Sequence, residues 1–594
     1  MIAFRAAERR RTCRVAVLFA ALTALLAFPL SVRPADHVMS ASPDTNLFLW
    51  TLAWDVHAFT HQPLRIFEAN IYYPLRHTLA YSENLIGSAV IAAPILWITA
   101  NPVLAMNLVA LLSAALCGVG GYALARQVGV GPSAAVISGV VFAFSPPRFL
   151  RLDQLHLATI QWVPFGLASL HAYLDEGRRV DLRMAAALFT LQALSSGHGV
   201  VFLTLAMIAL IAFRLATGDR MAIARRLRDL GVAGALLLAP ALLAFVPYTI
   251  VQREAGLRRT LENWTVSPSS FLASPSHAHQ WVLSLFPSAR INETADAYLF
   301  PGCVPIVLAL CAITIRRAPT GARRDGETSG VDRRAIGFYA LLTLVSVWLT
   351  LGPPIGLWPL VYWLPGLNFI RVPSRFMLLA ILGLAILAGF GVECIVRSLR
   401  QAHQTHETTK PRNREKDQFV SWFRGFEVSW MYAVAGLMLV AEFASFPLGL
   451  DAYRPEIPPI DRWLATQPTP FVVAEVPLPS PGDLGAWERR HTAFMLHSTA
   501  HWQKTVHGYS GLRLPLHVEL YDELTRFPDE QSVASLARLG VTYVVMHTDW
   551  YRAGDRAEID GRLDRFRDRL RLEHSEGEGR VYAMVSASTR RESR

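Results

Sequence analysis

The side chains able to do chemistry sit in a few short stretches that border apolar runs. Asp44 stands in Ser42-Pro43-Asp44-Thr45 and Glu83 in Ser82-Glu83-Asn84, each at the start of a segment rich in apolar and aromatic residues. An ionised carboxylate at a membrane surface is costly unless it has a partner. With one, it acts as a general base towards a hydroxyl or holds a divalent cation, and spacing does not choose between the two. A plainer role is also open to Asp44: Ser42 reads as an N-cap, Pro43 as the first helical residue, and Asp44 falls in the positive first turn. Asp55 follows eleven residues later. It shares a helix face with Asp44 but stands about 16 Å away, too far for one ion to bind both. Glu68, Asp153, Glu293 and Asp296 are further carboxylates outside the apolar runs. A lone carboxylate of this kind most often caps a helix or is solvated.

Among the cations, Asn368-Phe369-Ile370-Arg371-Val372-Pro373-Ser374-Arg375-Phe376 precedes an apolar run, with its two arginines four residues apart. Paired guanidinium groups grip phosphate in bidentate fashion, whereas single arginines at span ends snorkel to the headgroups. The same two readings apply to Arg148 and Arg151. His156 opens a further apolar run, and His198 lies between Gly197 and Gly199, which suggest a bend or a close helix contact. No H-E-x-x-H spacing, phosphate-binding glycine loop, βαβ dinucleotide fingerprint or G-x-S-x-G elbow occurs. Zinc hydrolases, nucleotide-binding enzymes and serine hydrolases are disfavoured accordingly. Gly118-Val119-Gly120-Gly121 lies within an apolar run and reads as helix packing. The five cysteines form no C-x-x-C pair and imply neither a disulfide framework nor a zinc site.

The elements that must position these groups are membrane helices. Of 594 residues, 52% are hydrophobic and 17% charged, with a mean hydropathy of +0.30; a soluble domain carries about 25% charged residues. Apolar runs at about 14–32, 103–125, 132–146, 156–174, 184–198, 200–217, 230–250, 298–315, 336–352, 375–397 and 429–448 supply the candidate spans. The formal net charge of +11 marks cytoplasmic loops in such a chain, so no nucleic-acid partner is expected. The basic head before the first run reads as an uncleaved signal anchor with a cytoplasmic N-terminus. Placing the arginine-rich loops near 178–183, 220–228, 316–334 and 397–424 in the cytoplasm gives about eleven spans. Segment 83–99 is then re-entrant or interfacial; the alternative is that it spans and one other segment is miscounted. Asp44, Glu83, Asp153 and the 353–375 stretch fall on the outer side. From about residue 449 apolar density drops: 471–476 and 541–546 read as buried strands, and 532–540 as a helix closed by a glycine cap. The expectation is a polytopic α-helical membrane domain over 1–448, with its first outer loop at 33–102, and a small extracytoplasmic α/β domain over 449–594.

Several of these stretches together resemble the GT-C integral-membrane glycosyltransferases. They are the first outer loop with Asp44, the Trp54-Asp55 pair, Tyr81-Ser82-Glu83-Asn84, Phe144-Ser145-Pro146 followed by Arg148 and His156, and Arg371-Val372-Pro373-Ser374-Arg375-Phe376. The likeness is greatest to bacterial members related to the protein mannosyltransferase and aminoarabinose transferase group. It covers most of the chain through short motifs. It departs in one place: such relatives often carry adjacent Asp and Glu in the first loop, where Asp44 is followed by Thr45. The resemblance implies transfer of a hexosyl or pentosyl group from a polyprenyl-phosphate carrier to a glycan, lipid or protein acceptor outside the inner membrane. Asp44 and Glu83 would be the catalytic carboxylates. Arg371 and Arg375 would neutralise the leaving lipid phosphate, and Asp55, Arg148, Asp153 and His156 would complete the substrate-binding set. A divalent cation is the one cofactor it admits, with Asp44 as base or cation ligand and Glu83 or Asp153 assisting; a lipid-linked sugar donor and membrane lipids are the partners. Two other classes compete. A transporter or flippase of a lipid-linked or polar solute would place charges mid-span and repeat its halves, whereas here few charges fall mid-span and no repeat occurs. A non-catalytic scaffold would use the outer domain to bind a partner.

Overall fold

The structure, a computed structural model, describes residues 2–218, 220–254, 266, 268–283, 298–315, 332–352, 355–364, 367, 370, 372–407, 430–480, 482–510, 514–552 and 554–585. The chain divides into two units. One comprises Met1–Arg33, Asn107–Ala244 and Arg258–Gly449; the other comprises Pro34–Met106, Phe245–Leu257 and Leu450–Arg594.

The first unit is helical. Among the described residues of the chain, the segments Pro102–Gln127, Gly197–Thr217 and Pro373–Leu399 are long and apolar enough to cross a membrane, and Pro132–Phe144, Cys303–Thr314 and Trp430–Phe443 are shorter apolar helices. The chain is therefore a multi-pass membrane protein. At its centre the Met377–Glu407 helix is flanked by Pro132–Phe144, Cys303–Thr314 and Arg333–Thr350. Ala380, Ile381, Ala385, Ile386, Ala388 and Phe390 on it are wholly inaccessible. Small residues let these backbones approach: a Cβ at Gly391 would overlap the Leu308 carbonyl, and one at Gly118 the Phe19 ring. The expected packing role of the 118–121 glycines is what they perform. Glu393, buried within the central helix, pairs with Arg397 one turn on and accepts the Gly131 N–H at 2.8 Å. A charge that would be costly in this setting is thereby neutralised and caps the Pro132–Phe144 helix.

The run expected over 230–250 is divided between the helices Arg220–Leu237 and Ala239–Glu254; at two other places where bounds differ from the hydropathy reading, proline is the reason. The first run ends its helix at Leu26, because Pro29 follows. The run expected over 156–174 begins its continuous helix only at Trp162. Pro164 lacks an N–H and is tolerated only in a first turn, so Leu155–Ala158 forms a separate single turn.

The second unit is built on a mixed sheet. Its strands in chain order are β1 (His37–Val38), β2 (Asp451–Ala452), β3 (Val472–Val476), β4 (Lys504–Thr505), β5 (Tyr543–His547), β6 (Leu570–Glu576) and β7 (Gly579–Met584). The main sheet runs β4-β3-β5-β7-β6, with β3 parallel to β4 and β5, and β7 antiparallel to β5 and β6. Side chains alternate faces along a strand. Val472, Ala474, Val476, Val544 and Met546 join one core with Phe494, Leu520 and Leu536; Val473, Val545 and Val581 join another with Ile460 and Leu464. The strands read at 471–476 and 541–546 are β3 and β5. The expected helix is Glu530–Arg538, opened by a reciprocal Asp529–Ser532 capping box and followed by Gly540 at φ +73°.

The stretch from Pro34 to residue 102, expected as the first outer loop, belongs to this unit. β1 pairs antiparallel with β2. Residues 70–73 run beside β4: Thr505 N–H donates to Asn70 O at 2.7 Å, Tyr73 N–H to Thr505 O at 3.0 Å, and Tyr72 N–H to His507 O at 2.9 Å. Tyr72 lies across Gly508, where a Cβ would stand 2.6 Å from its ring. The Pro43–His61 helix packs on the Leu484–His497 helix. The Ile86–Thr99 helix has 14 residues, or about 21 Å, short of the ~30 Å hydrocarbon core.

Candidate active site

Four of the candidate carboxylates, Asp44, Asp55, Glu68 and Glu83, are held in the second unit, where Glu68 pairs with His77 Nδ1 at 2.9 Å. The Pro43–His61 helix opens as its sequence dictates: Ser42 Oγ accepts the Thr45 N–H at 3.3 Å and Pro43 occupies the first turn. Half-buried Asp44 accepts the Tyr509 hydroxyl on Oδ1 at 3.3 Å. Asn46 Nδ2 donates to Thr492 Oγ1 at 3.2 Å, and its carbonyl accepts the Tyr453 hydroxyl. The start of this helix is thus fastened by residues more than four hundred positions away, on a stretch that local sequence cannot foretell.

Asp55 is wholly inaccessible, and no side chain hydrogen-bonds to either carboxylate oxygen. Burial pushes its carboxyl well above the usual range, with only weak compensation from the Leu85 N–H. Glu83 is buried as well. Beside it, Asn84 donates its N–H and Nδ2–H to the Tyr248 hydroxyl oxygen at 2.8 and 3.0 Å. The charges of both Glu83 and Asp55 act on that hydroxyl. The fold therefore brings Asn84, the neighbour of Glu83, onto Tyr248, and leaves Asp44 eleven residues before Asp55 on the Pro43–His61 helix. Nothing in the local sequence announces Tyr248. A ring column lies nearby on this helix: His57 stacks on His61 at 4.1 Å and on Trp502 at 4.3 Å. Burial, followed by the His61 charge, lowers the His57 pKa to about 4.

The first unit holds the cationic candidates. Arg375, just ahead of the central helix, donates from Nη1 to His198 Nε2 at 3.0 Å. That bond makes Nε2 the acceptor and leaves the neutral ring's proton on Nδ1. His198 and His156 meet edge to face at 5.2 Å. Ser196 explains the meeting: its Oγ accepts the Gly199 N–H at 2.9 Å, capping the Gly197–Thr217 helix, and donates to His156 O at 2.5 Å. The serine-glycine stretch is thus a helix cap. Arg148 is buried and engaged by the fold, donating to Ala143 O at 2.5 Å, Ala158 O at 3.3 Å and Cys117 Sγ at 2.9 Å. These bonds hold the turn that carries His156. Asp153 is half-buried on that stretch. Arg371, Glu293 and Asp296 lie outside the described residues.

One further group was not singled out by sequence reasoning. Glu475 on β3, His497 at the end of the Leu484–His497 helix and His547 at the end of β5 place their ligand atoms within 4.8 Å of one another, all buried. Such a set is able to coordinate a divalent cation. The signal was a lone carboxylate inside the apolar strand Val472-Val473-Ala474-Glu475-Val476.

The helical membrane unit and the mixed-sheet unit share their fold with solved structures of known proteins. No family model and no curated protein matches the chain. Among solved structures, the arabinofuranosyltransferase AftD from Mycobacteria is similar with a TM-score of 0.60 and 14% identity, over 97% of this chain and 40% of that one. ArnT from Cupriavidus metallidurans bound to undecaprenyl phosphate is similar with a TM-score of 0.50 and 13% identity, over 96% of this chain and 98% of that one. At these identities the likeness is one of fold.

Proposed function

We propose that the protein is an inner-membrane glycosyltransferase that moves a sugar from a polyprenyl-phosphate carrier to an acceptor outside the cytoplasm. The observation that carries this reading is the Arg375–His198–His156 cluster, set in a membrane-helical unit of GT-C type. A guanidinium and two imidazoles in apolar surroundings are suited to a phosphate group. The undecaprenyl phosphate bound by ArnT, a protein of like fold, agrees with this choice.

In the proposed reaction the acceptor hydroxyl attacks the anomeric carbon, and its proton passes to Asp44. The bond from that carbon to the phosphate oxygen breaks, and its electron pair leaves with the polyprenyl phosphate. Arg375, with Arg371, offsets the charge that develops there. Glu83 serves as the second carboxylate and Asp55 as its buried neighbour. Asp153 and His156 address the donor, and Arg148 keeps their stretch in place. A divalent cation is compatible with Asp44 in this role. The N-terminus is assigned to the cytoplasm and the mixed-sheet domain to the outside.

The test is mass spectrometry of envelope glycans, lipids and proteins from cells with the chain, without it, and with Asp44→Asn at matched abundance. Loss of one glycan species in both altered strains is expected. An unaltered inventory in the strain lacking the chain would overturn the reading. A defect in solute movement with intact glycosylation would favour a transporter.

A further inference from the structure

The second unit contains a polar core that the proposed transfer does not use. β3 and β5 are adjacent and parallel, so Glu475 and His547 project from the same face as Val473 and Val545. That face is covered by the short Pro459–Leu464 helix, which carries Asp461. Glu475 Oε2 stands 2.7 Å from His497 Nδ1 and 2.8 Å from His547 Nε2. Asp461 Oδ2 lies 3.9 Å from the same His497 nitrogen. The four residues are 0–4% exposed.

Two hydrogen bonds from histidines account for Glu475. They do not account for Asp461, whose two oxygens are buried with no hydrogen-bond partner. A second carboxylate sealed next to the first is costly unless something positive lies between them. A divalent cation supplies that charge and matches the three donors gathered within 4.8 Å of one another, two imidazole nitrogens and a Glu475 oxygen, with Asp461, 3.9 Å from His497, as the fourth that would close in. Metal–ligand distances of about 2.0–2.2 Å in a tetrahedral site put ligand atoms roughly 3.4 Å apart. The Glu475 and histidine donors need to separate by about 0.6–0.7 Å, and Asp461 to close in by about 0.5 Å, to admit the ion. Each histidine then presents a lone pair where it now presents a proton, by moving that proton to its other ring nitrogen. An entry path is present. A pocket of about 770 Å³ within this unit is lined by His497 and His547, with Asn46, Tyr453, Trp550 and Glu578 around them.

We propose that Glu475, His497, His547 and Asp461 form a zinc-type metal site that fixes β3, β5 and the two covering helices to one another. Because all four ligands come from the protein, its role is structural. It stands apart from the transfer reaction and does not depend on it.

The test uses the full chain in detergent, purified without a polyhistidine tag, a metal column or chelators. Elemental analysis is expected to find about one zinc per chain, and Glu475→Gln to weaken zinc binding by at least about tenfold in competition with a chromogenic chelator. Zinc added to chelator-stripped protein is expected to raise the melting temperature of the wild type and not that of Glu475→Gln. Asp461→Asn, a near-isosteric change, guards against a folding artefact. If the site binds metal, this variant binds zinc less tightly and loses the zinc-dependent rise. If Asp461→Asn only raises the melting temperature, and the wild type neither retains zinc nor responds to it, the site is a hydrogen-bonded core and the proposal is overturned. Normal zinc content with failed glycan transfer would overturn the glycosyltransferase reading alone.

Discussion

At the scale of residues, the most informative side chains are those whose surroundings conflict with their charge. Asp55 takes up a proton on folding, since its folded pKa is raised by burial while the unfolded chain keeps the ordinary value near 3.9. Its contribution to stability is complete below that value and is lost as pH rises through the folded pKa. Asp55→Asn should therefore raise the melting temperature at neutral and alkaline pH and flatten its decline. Thermal unfolding between pH 5 and 9 in detergent measures this, and a variant less stable across the whole range contradicts the assignment. Arg375 is the matching case among the cations. Arg375→Ala should lower transfer by about 10²–10³-fold, the scale of losing an electrostatic stabiliser of the departing group. Arg375→Lys should recover only part, because a point charge does not replace a planar fork. Initial rates with a polyprenyl-phosphate donor would show both effects.

At the scale of elements, helix ends and close approaches carry the predictions. Asp529 Oδ1 accepts the Ser532 N–H at 2.8 Å while Ser532 Oγ accepts the Asp529 N–H at 3.1 Å. Asp529→Ala removes half of that box and should cost about 1 kcal/mol in chemical unfolding of the sheet unit. Gly508 is tighter, because the Tyr72 ring occupies the space a side chain needs. Gly508→Val should lift residues 70–73 off β4 and expose the loop to limited proteolysis, with the membrane helices intact. Cleavage no faster than in the wild type would show that the loop is held elsewhere. The Ser42-Pro43 helix start, the Gly540 cap and the two short runs rich in valine were legible because their signals are local, whereas the Asp529 cap of Glu530–Arg538, a helix that starts two residues ahead of the expected 532, was not read. The late start of the Trp162–Glu176 helix was missed because hydropathy continues smoothly through Pro164, whereas the backbone does not.

At the scale of the whole molecule, the chain enters the sheet-containing unit three separate times, through 34–106, 245–257 and 450–594. The topology proposed from charge makes a direct prediction. Cysteines introduced near residue 35 and near residue 560 should react with an impermeant maleimide from outside intact spheroplasts, and one near residue 180 should not. Labelling of residue 180 from outside would invert the scheme and remove Asp44 from the outer face.

The sequence by itself determined that this is a multi-pass membrane chain with an α/β tail, because apolar length, arginine bias and strand periodicity are properties of neighbouring residues. It also named Asp44, Asp55, Glu83, His156 and Arg375 as reactive candidates, because polar groups at apolar boundaries stand out in one dimension. Which of them meet was decided only in three dimensions. Tyr248 reaches Asn84 across 164 positions, His198 reaches Arg375 across 177, and Tyr509 reaches Asp44 across 465. Such pairings are set by packing of whole helices and strands, and no local pattern encodes them. The Glu475–His497–His547 cluster is the clearest example: three ordinary residues on three elements come within ligand distance of one another only because the sheet and its covering helix close over them.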